Sequence, residues 1–134
     1  MSDSRLSLRA KTGLAVRIWV LLARVVVGLR REPLPALVAR LGRASSEPGE
    51  RLAPDRLSRA VDRSLRVGGR RPRCLVNALV LYRLLREQGD DAELVVGLPA
   101  RPVDKDAHAW VELGGVDVGP PPGRSGYEEL ARFR

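Results

Sequence analysis

The stretch RCLVNALVLYRLLREQGDDAELVVG, Arg73 to Gly97, decides the fold. After Cys74 its apolar residues recur every three or four positions, which is the spacing of one helix face. Gly89 then marks the end of the helix, because glycine readily adopts the backbone conformation that follows a helix. The short β-rich run from Ala92 to Leu98 predicts a strand. A helix that returns at once as a strand predicts that this helix packs on a small sheet.

A hairpin is predicted further along the chain, in AHAWVELGGVDVG, Ala107 to Gly119. The pair Gly114-Gly115 is typical of a tight two-residue turn between antiparallel strands. With such a turn, Leu113 pairs with Val116, and the residues on either side pair in turn. The prolines that follow end the ladder because proline has no amide donor. The tail YEELARF is expected to form one helical turn.

Three helices are predicted upstream of this unit. They are Leu14–Arg30, Ala36–Leu41 and a helix from Pro54 whose apolar face holds Leu57, Val61 and Leu65. The fold class is therefore α+β: N-terminal helices followed by a core in which a cysteine-bearing helix packs on a small antiparallel sheet. We expect an N-terminal amphipathic helical region over 1–50 and the core over 51–134, together of a size typical of one compact domain.

Composition limits the classes of function. The net charge is +8, yet aromatic residues make up only 4% and the arginines are spread along the chain, so nucleic-acid binding is not expected. One cysteine and one histidine exclude an internal disulfide and a four-ligand zinc site, and no metal or cofactor is expected. No signal peptide is visible, and a disulfide-built secreted scaffold is excluded. A cytoplasmic location is therefore predicted.

The apolar run from Gly13 to Arg30 was tested as a membrane span. Arg17 and Arg24 interrupt it, whereas a span needs about 20 predominantly apolar residues. Arg31 continues the same seven-residue spacing, so the three arginines form one ridge of an amphipathic helix. We expect this helix to pack on the core; peripheral contact with a membrane surface, or with a partner protein, is the alternative.

Cys74 and His108 are the candidate catalytic pair. Cys74 follows Pro72 at a helix start, where unpaired amides, the helix dipole and neighbouring arginines stabilise a thiolate, the nucleophilic form of cysteine. His108 opens a strand, where it could serve as a general base at the edge of a cleft. The alternatives are a small buried thiol and an imidazole bonded to the backbone. A cysteine at a helix start and a histidine at a strand start form the papain-like arrangement, which recurs by geometry.

The chain resembles the transglutaminase-like cysteine peptidases that process lasso-peptide precursors. The resemblance rests on Arg73 to Gly97 and on HAWVEL followed by glycine, His108 to Gly115, about a third of the chain. It implies that the protein removes the leader from a ribosomally made precursor peptide through a Cys–His–Asp site. It also implies two protein partners, a separate leader-recognition protein and an asparagine-synthetase-like lasso cyclase. By position, Cys74 matches the nucleophile and His108 the base.

At the third member of the site this chain departs from the family pattern. Where the family has an aspartate on the return strand this chain has Pro120, and the nearest acid is Asp117. A regular hairpin places Asp117 roughly 13 Å along the ladder from His108, at about 3.3 Å per residue, so it orients the imidazole only if the register differs. Otherwise Asp104, Asp106, a backbone carbonyl or a side-chain amide holds the ring.

Two further residues are assigned to substrate binding. Trp110 belongs to the family motif, with core packing as its alternative role. Asn77 lies one helical turn after Cys74 and could reach the site, with a solvent-facing position as its alternative.

Three functions therefore compete at the level of sequence. The first is the leader peptidase. The second is a catalytically weakened or inactive subunit of the same fold that binds the precursor or partner proteins. The third is a basic protein associated with a membrane or with nucleic acid.

Overall fold

A computed structural model of the chain describes residues 8–43, 52–66, 74–99, 108–119 and 127–134. The predicted loop at 44–50 and the Gly-Arg-rich break at 68–73 lie outside these ranges. So do Asp104, Asp106 and Pro120.

The described part of the chain forms four helices and one four-stranded sheet. The helices are α1 (Leu8–Arg31), α2 (Leu34–Gly42), α3 (Pro54–Leu65) and α4 (Cys74–Glu87). The strands are β1 (Ala92–Pro99), β2 (His108–Leu113), β3 (Val116–Gly119) and β4 (Tyr127–Phe133). The α+β class predicted from the sequence is confirmed.

Prolines set the helix starts. Pro33 is the N-cap residue between α1 and α2, Pro35 lies in the first turn of α2, and Pro54 opens α3. Proline suits the first turn because its missing amide would have no partner there and its φ is already helical. The predicted breaks are thereby confirmed, although α1 and α2 begin earlier than the apolar spacing indicated.

The sheet is antiparallel throughout, in the order β3-β2-β1-β4. Helix α4 packs against β1 and β2, and the other three helices pack against α4. Buried residues from all four helices and from β1 and β2 belong to one hydrophobic cluster. The two predicted segments, 1–50 and 51–134, therefore share a single core.

The β2–β3 hairpin has the predicted turn. Gly114 and Gly115 have φ values of 57° and 82°, a left-handed pair that suits the tight turn of a hairpin. Leu113 pairs with Val116, and Glu112 pairs with Asp117, as predicted. One residue further the ladder contains a bulge, because Val111 pairs with Gly119.

The C-terminal tail is a strand, and the prediction of a helical turn was wrong. Residues 127–133 form β4, which pairs with β1. Without β4, the edge of β1 would present a row of unpaired amides and carbonyls. Phe133 lies opposite Leu94 and packs against the core, while Arg132 forms ion pairs with Glu93 and Glu112. These long-range contacts outweigh the helical spacing of YEELARF.

Helix α1 has one side in the core. Ile18, Leu21 and Val25 are buried there. By length and composition alone, Thr12–Arg31 could cross a membrane, with a mean hydropathy of 1.8 and 22% of its residues buried. Arg17 and Arg24 therefore do not by themselves exclude a span. The argument against one is that α1 contributes its buried side to the folded core.

Candidate active site

Helix α4 begins at Cys74, as the sequence predicted, and this position suits a nucleophile. The first turn of the helix contains no acidic residue that would oppose a thiolate. Cys74 is not in a disulfide, and it is half-buried. Amides in the first turn of a helix have no intrahelical acceptor, so they are available to an anion beside the sulfur.

His108 is the first described residue of β2, a strand that packs against the helix carrying Cys74. The chain reverses at residues 88–91, so β1 runs back along α4. Gly97, near the end of β1, pairs with His108. From Cys74 to its last residue α4 rises roughly 20 Å at 1.5 Å per residue. From Ala92 to Gly97 β1 rises roughly 17 Å. If the axes of α4 and β1 are antiparallel, these lengths put Cys74 and His108 at about the same level.

The pleat of β2 determines how the imidazole can meet the sulfur. Ala109 and Val111 belong to the core on the helix side of the sheet. Trp110 and Glu112 lie on the opposite face, and alternation gives His108 that same face. His108 is the first described residue of β2, so a contact with Cys74 would require its ring to turn around the end of the sheet. His108 is half-buried at this position.

Trp110 is almost fully enclosed, with 6% of its surface exposed. Its indole Nε1 donates a hydrogen bond of 2.7 Å to Glu112. The ring also lies over Gly97, where a Cβ atom would come within 2.7 Å of the ring carbon Cη2. Little of the indole is left to contact a substrate, so the geometry favours the packing role over the substrate-binding role.

Asn77 is buried, not solvent-facing, with 5% of its surface exposed. Its Oδ1 atom accepts no hydrogen bond from any residue that the structure describes. A buried amide oxygen without a donor costs about 1–3 kcal/mol. On the same helix the Tyr82 hydroxyl is likewise buried without a partner among the described residues. Asn77 lies one turn from Cys74, so its side chain is the polar group on α4 closest in sequence to the thiol.

Asp117 is at the far end of the hairpin from His108. It pairs with Glu112, and its Oδ1 accepts a hydrogen bond of 2.7 Å from the amide of Gly119. Glu112 is four residues from His108 along β2, roughly 13 Å. The bulge occurs beyond the Glu112 pair, so it does not shorten this separation. The register thus leaves Asp117 at the end of the hairpin remote from His108.

A charged cluster on the outer face of the sheet escaped the sequence analysis. Arg132 of β4 contacts Glu93, Glu112 and Glu129. The hydrogen bond from Arg132 holds the pKa of Glu93 below its ordinary value, and the carboxylates raise the pKa of Arg132 further. The β1–β2 and β1–β4 pairings together bring Glu93, Glu112 and Arg132 into contact, so local sequence carried no signal for this cluster.

Comparison with known proteins supplies the family. The family model described as the transglutaminase-like superfamily matches residues 15–132. The chain therefore belongs to the transglutaminase-like superfamily, in which cysteine peptidase activity is common. Comparisons with curated proteins and with solved structures gave no match.

Proposed function

We propose that this protein is a cysteine peptidase that removes the leader from a lasso-peptide precursor in the cytoplasm. The proposal is supported by the packing of α4, which carries Cys74, against β2, which carries His108, in a chain of the transglutaminase-like superfamily. The lasso assignment is supported by the likeness of the Cys74 and His108 segments to that group of peptidases.

The reaction follows from these two side chains. The Cys74 thiolate attacks the carbonyl carbon of the last leader residue, and the oxyanion receives hydrogen bonds from amides at the start of α4. The carbon–nitrogen bond breaks as His108 gives a proton to the leaving amine. Water then attacks the thioester, His108 takes the proton of that water, and the leader leaves as a carboxylate while the thiolate is regenerated.

Among the described residues, we assign Asn77 as the polar group that orients the His108 ring. The strand register places Asp117 too far from His108 for a hydrogen bond. Asn77 is buried on the helix that carries the proposed nucleophile. Asp104 and Asp106 lie in a segment outside those residues. An aspartate is not essential for attack, because the third group orients the base and does not itself bond to the substrate.

The proposed partners are the precursor leader, a separate leader-recognition protein and an asparagine-synthetase-like lasso cyclase. They are part of the same proposal, because the resemblance of the Cys74 and His108 segments to lasso-peptide leader peptidases implies them.

Reconstitution tests the proposal. A lasso precursor, its leader-recognition protein and the purified chain are mixed, and products are followed by mass spectrometry. We expect release of the intact leader, with Cys74→Ala lowering the rate by on the order of 10⁴-fold or more. His108→Gln is expected to lower the rate while leaving the fold unchanged by circular dichroism. Cleavage that survives Cys74→Ala would refute the peptidase assignment, and equal cleavage of a scrambled leader would refute the lasso assignment.

The second candidate is a non-catalytic binding subunit, which the distance between Asp117 and His108 favours. A thiol-reactive probe separates the two functions. In a peptidase, iodoacetamide labels Cys74 quickly near neutral pH, and His108→Gln slows the labelling. In a binding subunit, the labelling rate matches that of a free cysteine peptide and is the same in the variant.

A further inference from the structure

Helix α1 presents an apolar face to solvent, on the side opposite its buried face. The outer face of α1 consists of Val16, Trp19, Val20, Ala23, Val26 and Val27. Among these, Val16 is 57% exposed and Trp19 is 43% exposed. The spacing of three, four and seven residues places them along one stripe. A helix that is apolar on both sides ordinarily has both sides covered.

The charge beside this stripe has one sign. No acidic residue occurs between Leu8 and Arg31. Arg24 and Arg31 are exposed, and the seven-residue spacing puts them along one edge of the outer face of α1. Arg17, on the same edge, forms an ion pair with Glu87 of α4. The outer face of α1 is thus apolar with a positive border.

A groove of about 560 Å³ adjoins the stripe, between α1 and α2. Ala23, Val27 and Gly28 form its apolar part, and Arg24 and Arg31 lie at its border. Arg40 and Glu32 also line the groove, where they pair with each other. An apolar floor beside guanidinium groups matches one anionic phospholipid, whose phosphate and acyl chain need those two environments.

We propose that the outer face of α1 docks on the surface of a bilayer that contains anionic phospholipid. The exposed valines and Trp19 enter the headgroup–acyl boundary, and Arg24 and Arg31 bind lipid phosphates. The helix lies along the surface and does not span the bilayer, because Ile18, Leu21 and Val25 hold its other side in the protein core.

Charge argues against a second copy of the chain as the occupant. Two α1 helices packed antiparallel about a two-fold axis would bring like borders together, so Arg24 and Arg31 of one copy would face arginines of the other. No acidic residue on α1 compensates this repulsion. An anionic lipid surface supplies the missing negative charge along the whole helix.

Flotation with vesicles tests the proposal. Vesicles of phosphatidylcholine with phosphatidylglycerol are compared with vesicles of phosphatidylcholine alone, at low and at high salt. We expect the full chain to float only with the anionic vesicles and to dissociate as salt screens the charges. Binding should also shift the emission of Trp19 to shorter wavelength. Trp110 is already buried, so Trp19→Phe should remove the shift while retaining flotation.

Matched variants separate the outer face of α1 from net charge. Arg24→Gln is expected to weaken vesicle binding about fivefold, the effect of one basic residue near an anionic surface. Arg63→Gln removes the same charge from the exposed side of α3. It is expected to leave the vesicle affinity close to that of the wild type. Val20→Asp on the stripe should abolish binding, whereas Val116→Asp, at a 63% exposed position on β3, should not. Circular dichroism and thermal unfolding establish that each variant is folded.

Three outcomes would overturn the proposal. The first is absence of flotation with anionic vesicles at low salt. The second is an equal loss of vesicle affinity in Arg24→Gln and Arg63→Gln, which would show that binding depends only on the net charge of the protein. The third is unchanged vesicle binding by a folded Val20→Asp variant. If the chain binds an acidic helical peptide and does not bind vesicles, the outer face of α1 is a binding site for a protein partner.

Discussion

The indole of Trp110 lies over Gly97 so closely that a Cβ atom at residue 97 would come within 2.7 Å of the ring and 2.9 Å of the Glu128 carbonyl oxygen. Gly97 is also the cross-strand partner of His108. Gly97 therefore has three neighbours: the indole packs on it, β4 pairs beside it, and the first residue of β2, the proposed base His108, pairs with it on the other side.

Gly97→Ala tests this relationship. The added methyl group has no room, so we expect a loss of about 1–3 kcal/mol in the free energy of unfolding. Displacement of Trp110 should shift the end of β2 and lower the rate of precursor cleavage. Urea unfolding and the cleavage assay measure the two effects.

The control for Gly97→Ala is Gly13→Ala. Residue 13 lies in α1, and a Cβ atom there meets nothing within 4 Å. That variant should gain about 0.5–1 kcal/mol because alanine is favoured over glycine within a helix. A Gly97→Ala protein as stable as the wild type would show that the Trp110 ring and the Glu128 carbonyl leave room for a Cβ atom at residue 97.

Asp117→Asn tests the register. The asparagine keeps an oxygen that can accept the hydrogen bond from the Gly119 amide, so little change in stability is expected. The distance to His108 predicts that the cleavage rate stays within a few-fold of wild type. A triad aspartate changed to asparagine costs about 10⁴-fold. A loss of that size would place Asp117 in the site and contradict the pairing of Asp117 with Glu112.

Asn77→Leu separates stability from function. Removing a buried oxygen that has no donor among the described residues should leave the free energy of unfolding unchanged or raise it. If Asn77 positions the catalytic groups, cleavage should fall at the same time, mainly in kcat. Ser58→Ala on α3 is the matched control, because Ser58 Oγ is likewise buried without a partner in the described part. Equal activity of Asn77→Leu and wild type would make Asn77 a structural residue.

Arg132→Gln should change how stability depends on pH. Arg132 lowers the pKa of Glu93 from an ordinary value near 4.5, so the folded state favours the carboxylate. A lowered pKa stabilises the fold above the ordinary value, and this contribution is lost as pH falls through the lowered one. We therefore expect the Tm difference between wild type and Arg132→Gln to be full at pH 7 and to shrink below pH of about 4.5. A Tm difference that is constant down to pH 2 would contradict the role of this contact.

Much of the candidate site followed from local sequence. The spacing after Cys74, the stop at Gly89 and the Gly114-Gly115 turn are local signals, each arising from backbone preferences of a few adjacent residues. They predicted the start of α4, the start of β2 within one residue and the register that separates Asp117 from His108. The helices and the hairpin could therefore be derived before any coordinates.

Tertiary structure decided what those elements contact. The segment YEELARF has helical spacing, yet it forms β4 because the edge of β1 needs hydrogen-bond partners. Asn77 could have faced solvent, and only the packing of α4 buries it. Local preferences are worth a few tenths of a kcal/mol per residue, whereas a strand pairing and a buried face involve many contacts at once. Sequence thus determined where most elements begin and end, and long-range packing determined which sides of them are enclosed, which is why the exposed outer face of α1 became visible only in the fold.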